Sequence, residues 1–65
     1  MNIFINGEAT QCESTNIAEM LEELEITTAG MAIAEGERII PRSKWNEHQL
    51  TQGIHLTLIR ATQGG

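Results

Sequence analysis

One small α+β domain is what this sequence predicts: a mixed sheet of short strands with a single main helix packed across one face. Three observations carry the expectation. Apolar residues alternate near both ends of the chain, at Ile3 and Ile5 and again at Ile54, Leu56 and Leu58, the period of half-buried strands. Between them Ile17, Met20, Leu21 and Leu24 recur at helical spacing and form one apolar stripe. The length, 65 residues, allows a single thin core with little stability to spare. The usual staples of so short a chain are missing. One cysteine, Cys12, makes no intramolecular disulfide, and with two scattered histidines it makes no zinc site. Burial of aliphatic side chains has to hold the fold.

The elements follow in order. Asn2 to Asn6 reads as a strand with Ile3 and Ile5 on one face and Phe4 on the other. Asn6-Gly7 is a strong hairpin signal, because both residues tolerate positive φ, and Glu8 to Cys12 is the returning strand. Ser14-Thr15-Asn16 is a cluster of helix N-caps, and Asn16 with Glu19 three residues on resembles a capping box. The helix fades near Glu25, ahead of the β-branched run Ile26-Thr27-Thr28 and Gly30. Met31 to Ala34 is a short buried strand with Met31 and Ile33 inward. Glu35-Gly36 turns it into a further strand over Glu37 to Ile40, and Pro41, with no N–H to donate, ends that pairing. Pro41 to Trp45 makes a short helical turn, and Gln52-Gly53 makes another turn. Ile54 to Ala61 alternates cleanly, with His55, Thr57, Ile59 and Ala61 opposite the inward set.

This order places the first and last strands side by side and parallel at the sheet centre, with the hairpins outside them and the helix over one face. That is a β-grasp, expected over residues 1–61, with 62–65 as a flexible C-terminal diglycine tail.

Charge and composition narrow the function. Four basic residues stand against nine glutamates, a net charge of −5. Nucleic acid is excluded as a partner, since it calls for a basic face against its phosphates. The acidity either steers the chain toward a basic partner or keeps a small protein soluble. No apolar run approaches membrane-spanning length. The lone cysteine and the lack of a signal-like segment point to a reducing cytoplasm.

Gly64-Gly65 is the most informative feature. Without Cβ atoms, two glycines lie extended in a channel too narrow for other residues. The carboxylate that follows is unhindered, and activation by ATP makes it an acyl-adenylate open to a thiol or persulfide. The competing reading is an inert tail, since chain ends tolerate most sequences.

A β-grasp order, an N-terminal hairpin running straight into a helix and a diglycine end together resemble the ubiquitin-like sulfur carriers. Within that group the chain is similar along its whole length to the thiamine-biosynthesis sulfur carriers, the ThiS family. Ile39-Ile40-Pro41-Arg42-Ser43-Lys44-Trp45 matches that family's apolar-Pro-Arg-x-x-Trp segment. There are departures. Glu35-Gly36 stands where Asn-Gly is usual, Ile54 follows Gly53 where Asp is common, and Thr62-Gln63 is more polar than the family pattern. The resemblance implies a protein co-substrate and not a catalyst, with no bound cofactor and no metal. A ubiquitin-activating-like adenylyltransferase would spend ATP to adenylate Gly65. A persulfide from a cysteine desulfurase system would replace AMP and leave a thiocarboxylate, a 1-thioglycine at Gly65. Thiazole synthase would take that sulfur into the thiazole of thiamine. Thr62, Gln63 and Gly64 would thread into the partner's active site. Sulfur carriage to molybdopterin or another acceptor, conjugation to protein lysines through Gly65, and a plain interaction module remain alternatives.

Other residues have their own readings. Phe4, Ile59 and Ala61 fall on the sheet face away from the helix and form a candidate partner-contact patch. Cys12 reads as a half-buried structural cysteine with no nearby cation to depress its pKa. His48 and His55 read as surface residues, and Glu19, Glu22 and Glu23 as a solvated helix face. Trp45 plugs one end of the core, while Arg42 reads as a glutamate partner or a partner contact. Lys44 is the single lysine, which argues against self-polymerising chains.

Overall fold

The computed structural model describes residues 1–60. Five strands form one sheet: β1 (Asn2–Ile5), β2 (Glu8–Gln11), β3 (Met31–Glu35), β4 (Arg38–Ile40) and β5 (His55–Arg60). One helix, α1 (Ile17–Glu23), and a 3₁₀ turn at Arg42–Lys44 complete the elements. The strand order is β2-β1-β5-β3-β4. β1 and β5 are parallel, and the other neighbours are antiparallel. This is the β-grasp order expected from the sequence. The expected tail at 62–65, and Ala61, lie outside the described residues.

Turn chemistry sets the register of both hairpins. Ile5 pairs with Glu8 across Asn6-Gly7, whose φ angles of 51° and 85° are those of a type I′ turn, matched to strand twist. The second hairpin corrects the sequence reading. Glu35 is the last residue of β3 and pairs with Arg38, so the turn is Gly36-Glu37. Only Gly36 has positive φ, 62°, the pattern of type II′ turns with glycine first. The family's Asn-Gly is therefore not needed, since Glu35 stays extended.

The core lies between the sheet and α1. Ile3, Ile33, Ile40 and Leu56 from the sheet meet Ile17, Met20 and Leu21 from the helix. Trp45 closes one end, 5% exposed, and its indole N–H donates to the Ile40 carbonyl at 3.0 Å. Cys12 is fully buried in this cluster, not half-buried as its place at a strand end suggested. Arg42 is exposed and pairs with no glutamate among the described residues. Its guanidinium lies 4.6 Å from the Trp45 ring centroid and donates to the Thr28 carbonyl at 2.8 Å. It thus pins the connection after the helix to the ring that plugs the core.

Both ends of α1 are satisfied. The Asn16 side chain accepts from the Glu19 N–H at 2.8 Å, as the capping pattern predicts. Glu19 reaches back one residue further than a capping box, accepting from the N–H and hydroxyl of Thr15. The N–H groups of Ile17 and Ala18 donate to the carbonyls of His48 and Trp45. The segment before β5 thereby ties down the helix start and buries Leu50, a contact no local pattern announced.

At the other end Ile26 N–H donates to the Leu21 carbonyl and Glu25 N–H to that of Glu22, a Schellman motif. Its left-handed residue is Glu25, at φ 57°, where glycine is the usual occupant. Glu25→Gly relieves a side-chain clash and is expected to stabilise the fold by about 1 kcal/mol, a rise of about 4–8 °C in Tm for a domain this size. A calorimetric Tm at or below that of the natural chain would contradict the strain argument.

Glu23 is not simply solvated. Its carboxylate accepts from the Ser14 hydroxyl, from the N–H groups of Glu13 and Ser14 at 3.0 Å, and from the Cys12 thiol at 3.5 Å. The Ser14 hydroxyl first, and the Glu13 N–H second, hold its carboxyl below the ordinary value. A carboxyl lowered in the folded state contributes stability that is complete above its ordinary pKa and fades as pH falls through the folded value. Glu23→Ala is thus expected to lower Tm at neutral pH, with the gap to the natural chain closing as pH drops below 4.5. A gap that stays constant down to acid pH would rule out the carboxylate as its origin.

Candidate functional site

The sequence-predicted site residues fall on the outer face of the sheet and in the segment after β5. Alternation directs them there: Ile3, Ile33, Ile40, Leu56 and their neighbours turn toward α1, so the residues between them turn away. Phe4 is half-buried on β1, opposite His55 of β5. Their rings stack with centroids 4.4 Å apart and planes 6° off parallel. The sequence gives His55 no role beyond the surface, but the parallel register of β1 and β5 makes it the aromatic partner of Phe4.

Ile59 is on the same face and 48% exposed. It lies four residues beyond His55 along β5, about 13 Å at strand rise, with exposed Thr57 between them. Phe4 and Ile59 are therefore on neighbouring strands, as expected, but they are not in one cluster. Ala61, Thr62, Gln63, Gly64 and Gly65 lie outside the described residues.

The apolar face continues in a direction the sequence reading missed. Ile59 pairs with Ala32 of β3, and Ala34 pairs with Thr57 on one side and with Ile39 of β4 on the other. Ile39 is 57% exposed, more than any other large hydrophobic residue described. A strip of Ile59, Ala32, Ala34 and Ile39 thus crosses three strands. The signal was present, since an inward Ile40 puts Ile39 outward. Ala32 is half-buried and Ala34 only 5% exposed, so the exposed aliphatic surface of the strip is that of Ile59 and Ile39.

The remaining reactive groups lie elsewhere. His48 is 2.9 Å from Glu35, and the Cys12 thiol faces the core and Glu23. Among the described residues no three potential metal ligands come together, and no helix is long and apolar enough to cross a membrane. The outer face carries exposed aliphatic surface at Ile59 and Ile39 and an aromatic stack between β1 and β5.

Comparison with known proteins gives this arrangement a family. The model of the ThiS family matches residues 3–65. Sulfur carrier protein ThiS of Escherichia coli (strain K12) is 35% identical over 66 residues, covering 100% of both chains. The crystal structure of the thiamine biosynthesis protein ThiS from Geobacter metallireducens superposes with a TM-score of 0.83 at 19% identity, covering 100% of each chain. An NMR solution structure of a thiamine biosynthesis protein from the same organism gives 0.75 at 19% identity, over 100% of this chain and 88% of the other. At that identity the two structures attest the fold, a ubiquitin-like β-grasp.

Proposed function

The chain belongs to the ThiS family, the sulfur carriers of thiamine biosynthesis, and from that premise we propose that Gly65 is the atom-carrying end. The observation behind the proposal is that the family match runs through residue 65 and so includes both terminal glycines. Its partners are enzymes of the thiamine pathway. The chemistry then has four steps, none of which asks for a catalytic group on the carrier. An adenylyltransferase of the ubiquitin-activating type joins the Gly65 carboxylate to AMP and releases pyrophosphate. The outer sulfur of a persulfide, supplied through a cysteine desulfurase, attacks the acyl carbon and expels AMP. Reduction of the resulting S–S bond by a thiol leaves the thiocarboxylate. Thiazole synthase consumes that sulfur and returns the carboxylate.

The body's part in this is recognition. Gly65 is five residues beyond Arg60, a stretch that spans at most about 17 Å when extended. The partner's active site must therefore come close to the end of β5, and the face of Ile59, Thr57 and Ile39 is the surface beside it. Ile59→Glu puts a charge into that apolar contact at an exposed position. The expected loss is about tenfold or more in affinity for the adenylyltransferase, with Tm nearly unchanged. Phe4→Glu is expected to weaken binding in the same direction. Titration calorimetry reading the same Kd for Ile59→Glu and the natural chain would remove this face from the interface.

Intact-mass spectrometry tests the carrier reading itself. The protein is incubated with ATP, a sulfur source and an adenylyltransferase of the ubiquitin-activating type. The expected result is the mass gain of one oxygen exchanged for sulfur, mapped to Gly65. No gain, with the enzyme active on a control carrier, would overturn the reading.

A further inference from the structure

The hairpin residue Asn6 does more than turn the chain. On β5 and at the residue before it, the backbone groups of Ile54, Leu56 and Leu58 face β1. Phe4 N–H donates to the Ile54 carbonyl at 2.8 Å, and Asn6 N–H donates to the Leu56 carbonyl at 2.9 Å. The strand pairing itself ends at Ile5 and Leu56, because the backbone enters the type I′ turn at Asn6. The next donor on β5, the Leu58 N–H, is taken by the side chain instead: it donates to Asn6 Oδ1 at 2.9 Å. A side-chain carbonyl has replaced a backbone carbonyl and extended the parallel ladder by one rung.

Among the described residues that rung is the last on this side of β5. On the other side β3 follows β5 to its end, where Arg60 pairs with Met31. Asn6 thus completes a two-sided grip on the residues from which the segment carrying Gly65 departs. The type I′ turn accepts glycine or aspartate at this position as readily as asparagine, so turn geometry alone does not call for Oδ1.

We infer that Asn6 is a positioning residue for sulfur loading, and that its Oδ1 clamp on Leu58 fixes the end of β5, the strand that precedes Gly65 in sequence. The inference rests on Gly65 being the loaded end. Error of about an ångström in presenting a reacting group lowers rate far more than it lowers binding of the remote body. The clamp should therefore appear in kcat and not in KM.

The test compares the natural chain with Asn6→Gly, which keeps the turn and loses the acceptor, and Asn6→Asp, which keeps both. Thiocarboxylate formation is followed by intact mass with the full chain as varied substrate of the adenylyltransferase, at a temperature where circular dichroism shows all three folded. Asn6→Gly is expected to lower kcat about tenfold with KM within about twofold of the natural value. Asn6→Asp is expected to restore kcat, and Leu58 amide exchange is expected to quicken in the glycine variant alone. Unchanged kcat in Asn6→Gly, a change in KM alone, or a loss that aspartate does not restore would each overturn the clamp while leaving Gly65 as the loaded end. Absence of loading in the natural chain would overturn both.

Discussion

Trp45→Ala is expected to leave the domain largely unfolded at 25 °C. Removing a buried tryptophan side chain costs about 3–5 kcal/mol, and a core of this size supplies about 3–5 kcal/mol in all. Three losses coincide at this position. The ring leaves a void at one end of the core, the Ile40 carbonyl loses its indole donor, and Arg42 loses the surface it lies on. The last effect propagates, because Arg42 also holds the Thr28 carbonyl and with it the segment between α1 and β3. Trp45→Phe separates these contributions. It keeps an aromatic ring and removes the indole donor and part of the volume, so a folded but less stable domain is expected. Far-UV circular dichroism and amide dispersion by NMR distinguish the two variants. A cooperative melt of Trp45→Ala within a few degrees of the natural chain would show that the core closes without its plug.

Deleting Gly65 is expected to abolish sulfur loading and to leave the melting curve unchanged. The two halves of the prediction come from different places. Loading is lost because the acyl group would then sit on Gly64, one residue short of an active site that must be reached within about 17 Å of the sheet. Stability is kept because the described core and sheet end at residue 60. Mass spectrometry after incubation with ATP and the adenylyltransferase reads the first half, and calorimetry reads the second. Normal loading of the shortened chain would mean that the enzyme reads the tail's composition and not its length.

The legible parts of the sequence were those where local chemistry has one meaning. Asn6-Gly7 specified a type I′ turn, Asn16 specified the helix start, and the alternation from Ile54 to Leu58 specified a strand with one face inward. Parallel pairing of β1 and β5 followed from element order, with no residue stating it. What escaped was non-local. Glu23 looked like one of three like charges on a helix, but its acceptors serve the loop from Cys12 to Ser14, which only the return of β2 to the helix brings near. Arg42 had no readable partner because carbonyls, not carboxylates, were waiting for it. Cys12 was placed at a strand end, where sequence suggests partial exposure, and the fold closed over it. Leu50 sits in a segment without periodicity and is buried by pairing with the residues before α1. The outer face was half legible. Alternation turns Phe4 and Ile59 outward, whereas the proline motif that contains Ile39 says nothing of its face, and only the inward Ile40 beside it does.

The central position of β5 also governs when this protein becomes a protein at all. The first strand needs the last as its neighbour, and contacts such as that between Asn6 and Leu58 bridge 52 positions of chain. Such long closures are slow relative to local ones. During synthesis the N-terminal hairpin and the helix emerge first, with their apolar faces uncovered, and wait for residues 55–60 before a sheet exists to cover them. Folding therefore waits for β5, and a chain cut before residue 55 lacks the central strand of its sheet.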